Sequence, residues 1–255
     1  MSNYNWNDKE DRARFAQDHT KEMQIKYRDE IYAGIRNTII FDQKVPKYTK
    51  REDAEQNILL VAEDSVSAIF NHAEGKKAVL NFASYKNPGG MFIKGAKAQE
   101  ECLCYESYLY NVLNMLENSF YAYNKKNLNK GLYTDRALYT PDIRFFKDEE
   151  SIMADVLTCA APNNSLGIRY GAFSKDENEK TLAERIAFVL DISSSCNVNT
   201  LILGAWGCGV FKQNPQVVAK LFMEKLKEHK DIKNIIFAIP DENSKNYKEF
   251  VKEVK

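Results

Sequence analysis

Short apolar runs of strand length alternate with helix-patterned stretches from residue 57 almost to the end of the chain. Residues 57–62, 77–82, 155–161, 199–204 and 234–239 are the strand candidates. Residues 65–72, 98–116, 177–193 and 215–229 carry helical patterns, and Cys102, Leu109, Leu113 and Leu116 mark one face of the second. This alternation predicts a three-layer α/β/α fold around a largely parallel or mixed sheet. In such sheets ligands bind beyond the carboxyl ends of the strands.

The first fifty residues differ. From Asn7 to Tyr32 the sequence is charged, with Phe15, Met23, Ile25, Tyr27 and Ile31 at rough helical spacing. That spacing predicts one or two surface helices capped by Asn7 or Asp8. Pro46 and the polar run 47–55 read as a connection. Residues 121–147 are less regular, with turn signals at Tyr133-Thr134-Asp135-Arg136 and Tyr139-Thr140-Pro141-Asp142.

Composition narrows the function classes. An apolar content of 44% supports a real core. Lys+Arg and Asp+Glu are equal at 36 each, so no stable nucleic-acid binding is expected and any phosphate recognition must be local. No run approaches the roughly 20 apolar residues that span a bilayer, and the polar N-terminus is unlike a secretory signal. The expectation is a cytoplasmic protein with no membrane partner. Five scattered cysteines fit reduced thiols. His19, His72 and His229 are isolated, and no zinc site is expected.

Two loops carry the chemistry. The strand at 77–82 runs into Asn87-Pro88-Gly89-Gly90, and Gln99-Glu100-Glu101 follows at a helix start. Asn81, Ser84 and Asn87 offer neutral groups suited to sugar hydroxyls, while Gly89, Gly90 and Gly95 leave main chain bare. Acids at a helix start also serve the helix dipole, so the pair alone does not prove a site. Consecutive helical residues point about 100° apart, so Glu100 and Glu101 must have different roles.

The second loop, Gly204-Ala205-Trp206-Gly207-Cys208-Gly209-Val210-Phe211, joins a strand to a helix that begins near Asn214-Pro215. Free amides beside a helix start form an anion cradle, and a diphosphate is the preferred occupant. The pattern lacks the early position and the acid about 20 residues on that a dinucleotide-binding unit needs. Phe211 is either core packing or a ribose contact.

Together, Asn81-Phe82-Ala83-Ser84, Lys86 to Gly90, Gly95-Ala96 and Ala98 to Glu101 resemble the signature of microbial-type poly(ADP-ribose) glycohydrolases, which are macrodomain proteins. Tyr133 to Arg136, Ala160 to Asn163 and Leu203 to Phe211 extend the resemblance. It implies a macrodomain-like mixed sheet over residues 51–255, with residues 1–50 as an N-terminal helical accessory segment packed on it. It further implies hydrolysis of the ribose–ribose O-glycosidic bond in poly(ADP-ribose), with no metal or redox cofactor. Glu101 would be the catalytic acid, and Glu100 would bind a ribose hydroxyl. Gly89 and Gly90 would approach the distal ribose and diphosphate, and Asn81, Asn87, Met91 and Gln99 would also belong to the substrate-binding set. Gly207, Cys208, Gly209 and Val210 would cradle the diphosphate, and Phe211 would position the distal ribose.

One position departs from the family pattern. Its third glycine is Met91 here, which either faces away or narrows the pocket. The implied partner is therefore ADP-ribose or its polymer, alone or attached to protein or nucleic acid. Removal of a single ADP-ribose and non-hydrolytic binding stand as the alternatives.

Overall fold

A computed structural model describes residues 4–254. Helix α1 (Lys9–Lys26) is capped by Asp8, whose side chain accepts from the amides of Glu10 and Asp11. Helix α2 (Arg28–Asn37) follows, and Met23 and Ile31 turn inward while Ile25 is 82% exposed. Strand β1 (Ile39–Asp42) comes next and has no counterpart among the sequence expectations. The connection over residues 43–56 then leads to β2 (Asn57–Val61), α3 (Ser65–His72) and β3 (Lys77–Phe82).

The helix expected over 98–116 is two helices, α4 (Gln99–Tyr105) and α5 (Leu109–Met115). The break has a physical cause at Ser107. Its hydroxyl donates to Leu103 O and accepts from the Leu109 amide, a side-chain alternative to helical pairing. The freed Glu106 carbonyl accepts from Phe146 N at 2.8 Å.

After the short α6 (Ala122–Lys126), residues 136–147 form β4 (Arg136–Lys147), a long strand where turns were expected. Pro141 is tolerated because the register shifts between Thr140 and Ile143, a bulge that spares the missing N–H. The remaining elements are β5 (Glu150–Cys159), α7 (Asn164–Tyr170), α8 (Lys175–Ser195), β6 (Thr200–Leu203), α9 (Pro215–Leu226), β7 (Asn234–Ala238) and α10 (Lys245–Glu253).

Among the described residues seven strands form one mixed sheet in the order β1-β4-β5-β3-β6-β7-β2. Pairings β1/β4 and β4/β5 are antiparallel, and the other four are parallel. Leu182, Ile186, Val218, Phe222 and Phe250 from α8, α9 and α10 cover one face. Val66, Ile69, Leu103, Leu109 and Val112 from α3, α4 and α5 cover the other. Strand β2 is a half-exposed edge of the sheet.

Strands β3 and β6 are parallel neighbours near the middle of the sheet. The chain leaves β3 toward β4 and β5, but leaves β6 toward β7 on the opposite side. Their carboxyl ends therefore mark a topological switch point, where two loops diverge and leave a crevice. Among the described residues no helix is long and apolar enough to cross a membrane.

Candidate active site

The loops after β3 and β6 open onto one cavity of about 340 Å³. Gly90, Met91, Gln99, Glu100 and Glu101 line it from the first loop, and Gly207, Gly209, Val210 and Phe211 from the second. A further cavity of about 360 Å³ shares Phe82, Ala98, Gln99 and Ala205 with it and extends to Asp64, Ser65, Ile239 and Pro240.

The Gln-Glu-Glu run divides its work residue by residue. Gln99 accepts from the Phe82 amide at 2.8 Å and donates to Leu80 O at 2.9 Å and Ser65 Oγ at 3.1 Å. Its amide thus fastens the start of α4 to the end of β3.

Glu100 is 3% exposed. Its carboxylate accepts from Ser84 N at 2.7 Å and from Asn81 Nδ2 at 3.3 Å. Burial holds its pKa well above the usual carboxyl range; the Ser84 amide opposes this and the charge of Glu101 adds to it.

Glu101, 6% exposed, accepts from Met91 N at 2.8 Å and from Ala98 N at 3.1 Å. The second bond reaches back to the residue before α4 and caps the helix. Both acids press against Gly90, where a Cβ would collide with Glu101 Oε1.

The other expected residues are placed unevenly. Asn81 is fully buried and does not reach the cavity wall; it supports Glu100 and donates also to Thr158 Oγ1 at 3.3 Å. Gly89 packs under Tyr110 and Cys104, and neither it nor Asn87 lines the cavity. Gly95, expected to be bare, is covered by the start of α1, with Arg12 Nε donating to its carbonyl at 2.9 Å. Met91 does line the cavity and is 43% exposed. Cys208 is off the wall, and burial pushes its thiol up to about 12.

In the second loop the amides of Gly209, Val210 and Phe211 have no acceptor among the described residues. The amino terminus of α9 contributes nothing to the cavity wall, so the free amides there belong to the loop's own main chain. Among the described residues no group of three or more His, Cys, Asp or Glu could hold a metal ion.

Sequence reasoning missed Thr158, which supports the site through Asn81 without reaching the cavity wall. Ser84, singled out for its hydroxyl, holds Glu100 through its main-chain amide, and both it and the fully buried Trp206 line the cavity. Only the strand register, which sets Asn81 opposite Thr158, reveals the role of Thr158.

Comparison with known proteins agrees with this geometry. The family model "Microbial-type PARG, catalytic domain" matches residues 9–148. No match is found among curated proteins. The poly(ADP-ribose) glycohydrolase of Thermomonospora curvata is 27% identical, with a TM-score of 0.84 over 95% of this chain and 98% of its own. The same enzyme bound to the inhibitor ADP-HPD superposes with a TM-score of 0.81 at 27% identity, over 94% and 98%. A mutant of the Deinococcus radiodurans poly(ADP-ribose) glycohydrolase in complex with ADP-ribose is 30% identical, with a TM-score of 0.79 over 88% and 97%. The chain belongs to the microbial-type poly(ADP-ribose) glycohydrolase (PARG) catalytic-domain family.

Proposed function

We propose that this protein hydrolyses ribose–ribose O-glycosidic bonds in poly(ADP-ribose) and releases ADP-ribose. The observation that carries the reading is the placement of Glu101 on the wall of a cavity onto which both bare loops open. The free amides of Gly209, Val210 and Phe211 suit the diphosphate. Gripped there, the substrate spends binding energy remote from the reacting bond to hold the anomeric carbon in register.

Glu101 donates a proton to the departing ribose oxygen as the C–O bond breaks through an oxocarbenium-like state. The carboxylate left behind then takes a proton from the attacking water, so one residue serves both steps. Glu100, on the same cavity wall, holds a ribose hydroxyl. The two amides on Glu101 fix its carboxyl plane throughout.

A second reading, removal of a single ADP-ribose from protein or nucleic acid, is favoured by one observation: the Met91 side chain stands at the cavity where the family has glycine.

The test is incubation of wild type and Glu101→Gln with automodified poly(ADP-ribose), singly modified protein and singly modified nucleic acid. Wild type should release ADP-ribose from the polymer, and Glu101→Gln should lose about 100-fold or more of that activity. Wild type that binds ADP-ribose but leaves the polymer intact would end the glycohydrolase reading. A fully active Glu101→Gln would end the catalytic assignment.

A further inference from the structure

Beside the two loops lies a small aromatic cluster of Tyr85, Tyr133 and Ala160, and Phe211 packs both on it and on the main core under α8 and α9. Its rings come from different parts of the ligand-binding frame. Tyr85 follows Ser84, whose amide holds Glu100. Phe211 belongs to the second loop and lines the cavity. Tyr133, just before β4, touches both. It stacks on Tyr85 with ring centroids 4.1 Å apart and planes at 10°, and meets Phe211 at 6.0 Å and 59°.

The backbone at Tyr133 is costly to maintain. Its φ of +61° lies in the left-handed region that a bulky side chain avoids. Such conformations persist only where the surroundings over-determine them, and they gather at functional sites. Here the surroundings do so. The Tyr133 amide donates to Leu128 O at 3.2 Å, and its carbonyl accepts from Asn129 Nδ2 at 3.2 Å. The Tyr85 hydroxyl is held by Thr134 Oγ1 at 2.8 Å and Asn127 O at 3.1 Å. The stacked pair is anchored from both sides, and Phe211 rests on it.

We propose that Tyr133 is a positioning residue for the hydrolysis: its ring sets the separation between the Glu100 side of the cavity and Phe211. The inference rests on the cavity being the ADP-ribose site. An aromatic pair of this kind is worth enough to matter, because a shift in Phe211 moves the ribose relative to Glu101.

The experiment is a double-mutant cycle between Tyr133→Leu and Phe211→Leu, read as kcat and KM on poly(ADP-ribose) and as Kd for ADP-ribose, with thermal unfolding to verify folding. Tyr133→Leu should lower kcat/KM about tenfold, the size expected for a lost aromatic contact. Tyr133→Phe, which keeps the ring, should restore most of it. In the Phe211→Leu background, adding Tyr133→Leu should change kcat/KM less than about twofold, since its route of action is gone. Wild-type kinetics for Tyr133→Leu, or a full tenfold loss in the Phe211→Leu background, would overturn the proposal. Should wild type bind ADP-ribose without cleaving polymer, the glycohydrolase reading fails alone. The same cycle in Kd then decides the role of Tyr133.

Discussion

A Cβ on Gly90 would overlap Oε1 of Glu101 and lie 2.9 Å from Oε2 of Glu100. The glycine and the two acids therefore form one packed unit, in which bare main chain lets both carboxylates come forward to the cavity. The φ of +62° at Gly90 adds a second reason for glycine at this position.

Gly90→Ala is accordingly expected to act on both folding and chemistry. Strained backbone should cost about 1–3 kcal/mol of stability. Displacement of Glu101 should cost about 100-fold or more in polymer hydrolysis. Thermal unfolding and ADP-ribose release measure the two separately. Near-normal turnover would mean that the carboxylates can retreat without leaving the reacting bond.

Glu100→Gln should make the protein more stable and less active. Burial raises the native pKa of Glu100 above its ordinary 4.5. Between 4.5 and that raised value the unfolded chain ionises this carboxyl while the native state keeps its proton, so stability falls as pH rises through the window. The amide can replace the carboxyl. Its carbonyl can take the Ser84 N–H, and its NH₂ can face Asn81, whose Oδ1 has no partner. The Tm advantage of the variant should be absent below pH 4.5 and grow toward pH 8. Activity should fall about tenfold, the size of one lost hydrogen bond. A Tm difference that does not vary with pH would refute the buried, proton-holding Glu100.

Met91→Gly tests substrate size. Met91 adopts φ −115° and ψ 29°, an ordinary conformation, so its side chain is accommodated without strain. Its amide still reaches Glu101 when the side chain is removed. The substitution should cost about 0.5–1 kcal/mol in chain entropy. It should raise turnover of polymer relative to singly modified protein. An unchanged ratio, measured with both substrates side by side, would show that the side chain leaves the substrate path clear.

Two glycines of the second loop should part company. A Cβ on Gly209 would meet nothing within 4 Å, whereas one on Gly207 would lie 2.9 Å from Ala161 Cβ and 2.9 Å from Gln213 Cγ, at a φ of +74°. Gly207→Ala should therefore lower Tm. Gly209→Ala should leave Tm unchanged yet weaken ADP-ribose binding, because its methyl enters the space that the proposed binding mode gives to the diphosphate. Calorimetry on both variants separates fold from ligand, and unaltered ADP-ribose affinity in Gly209→Ala would remove that amide from the cradle.

Local patterning was enough for most of the parallel half of the sheet. The runs at 65–72 and 77–82 became α3 and β3 with those same bounds, since each carries its own periodicity and its own stop signal. Strands β1 and β4 were illegible for the opposite reason. Their pairing is antiparallel and distant in sequence, with Ile39 opposite Tyr139, and Pro141 hides a bulge behind a turn signature.

The sequence by itself determined the chemical inventory: two acids at a helix start, a glycine turn before them, and a second glycine loop after a later strand. Residue identity and spacing suffice for that, because glycine and carboxylate have properties that travel with them. Tertiary structure alone decided which groups meet. Sheet order set β3 beside β6, so that loops more than a hundred residues apart share one cavity. Packing buried Asn81 behind Glu100, tied Gln99 to the end of β3, and covered Gly95 with α1. Those outcomes depend on distances across the fold, which no local pattern contains.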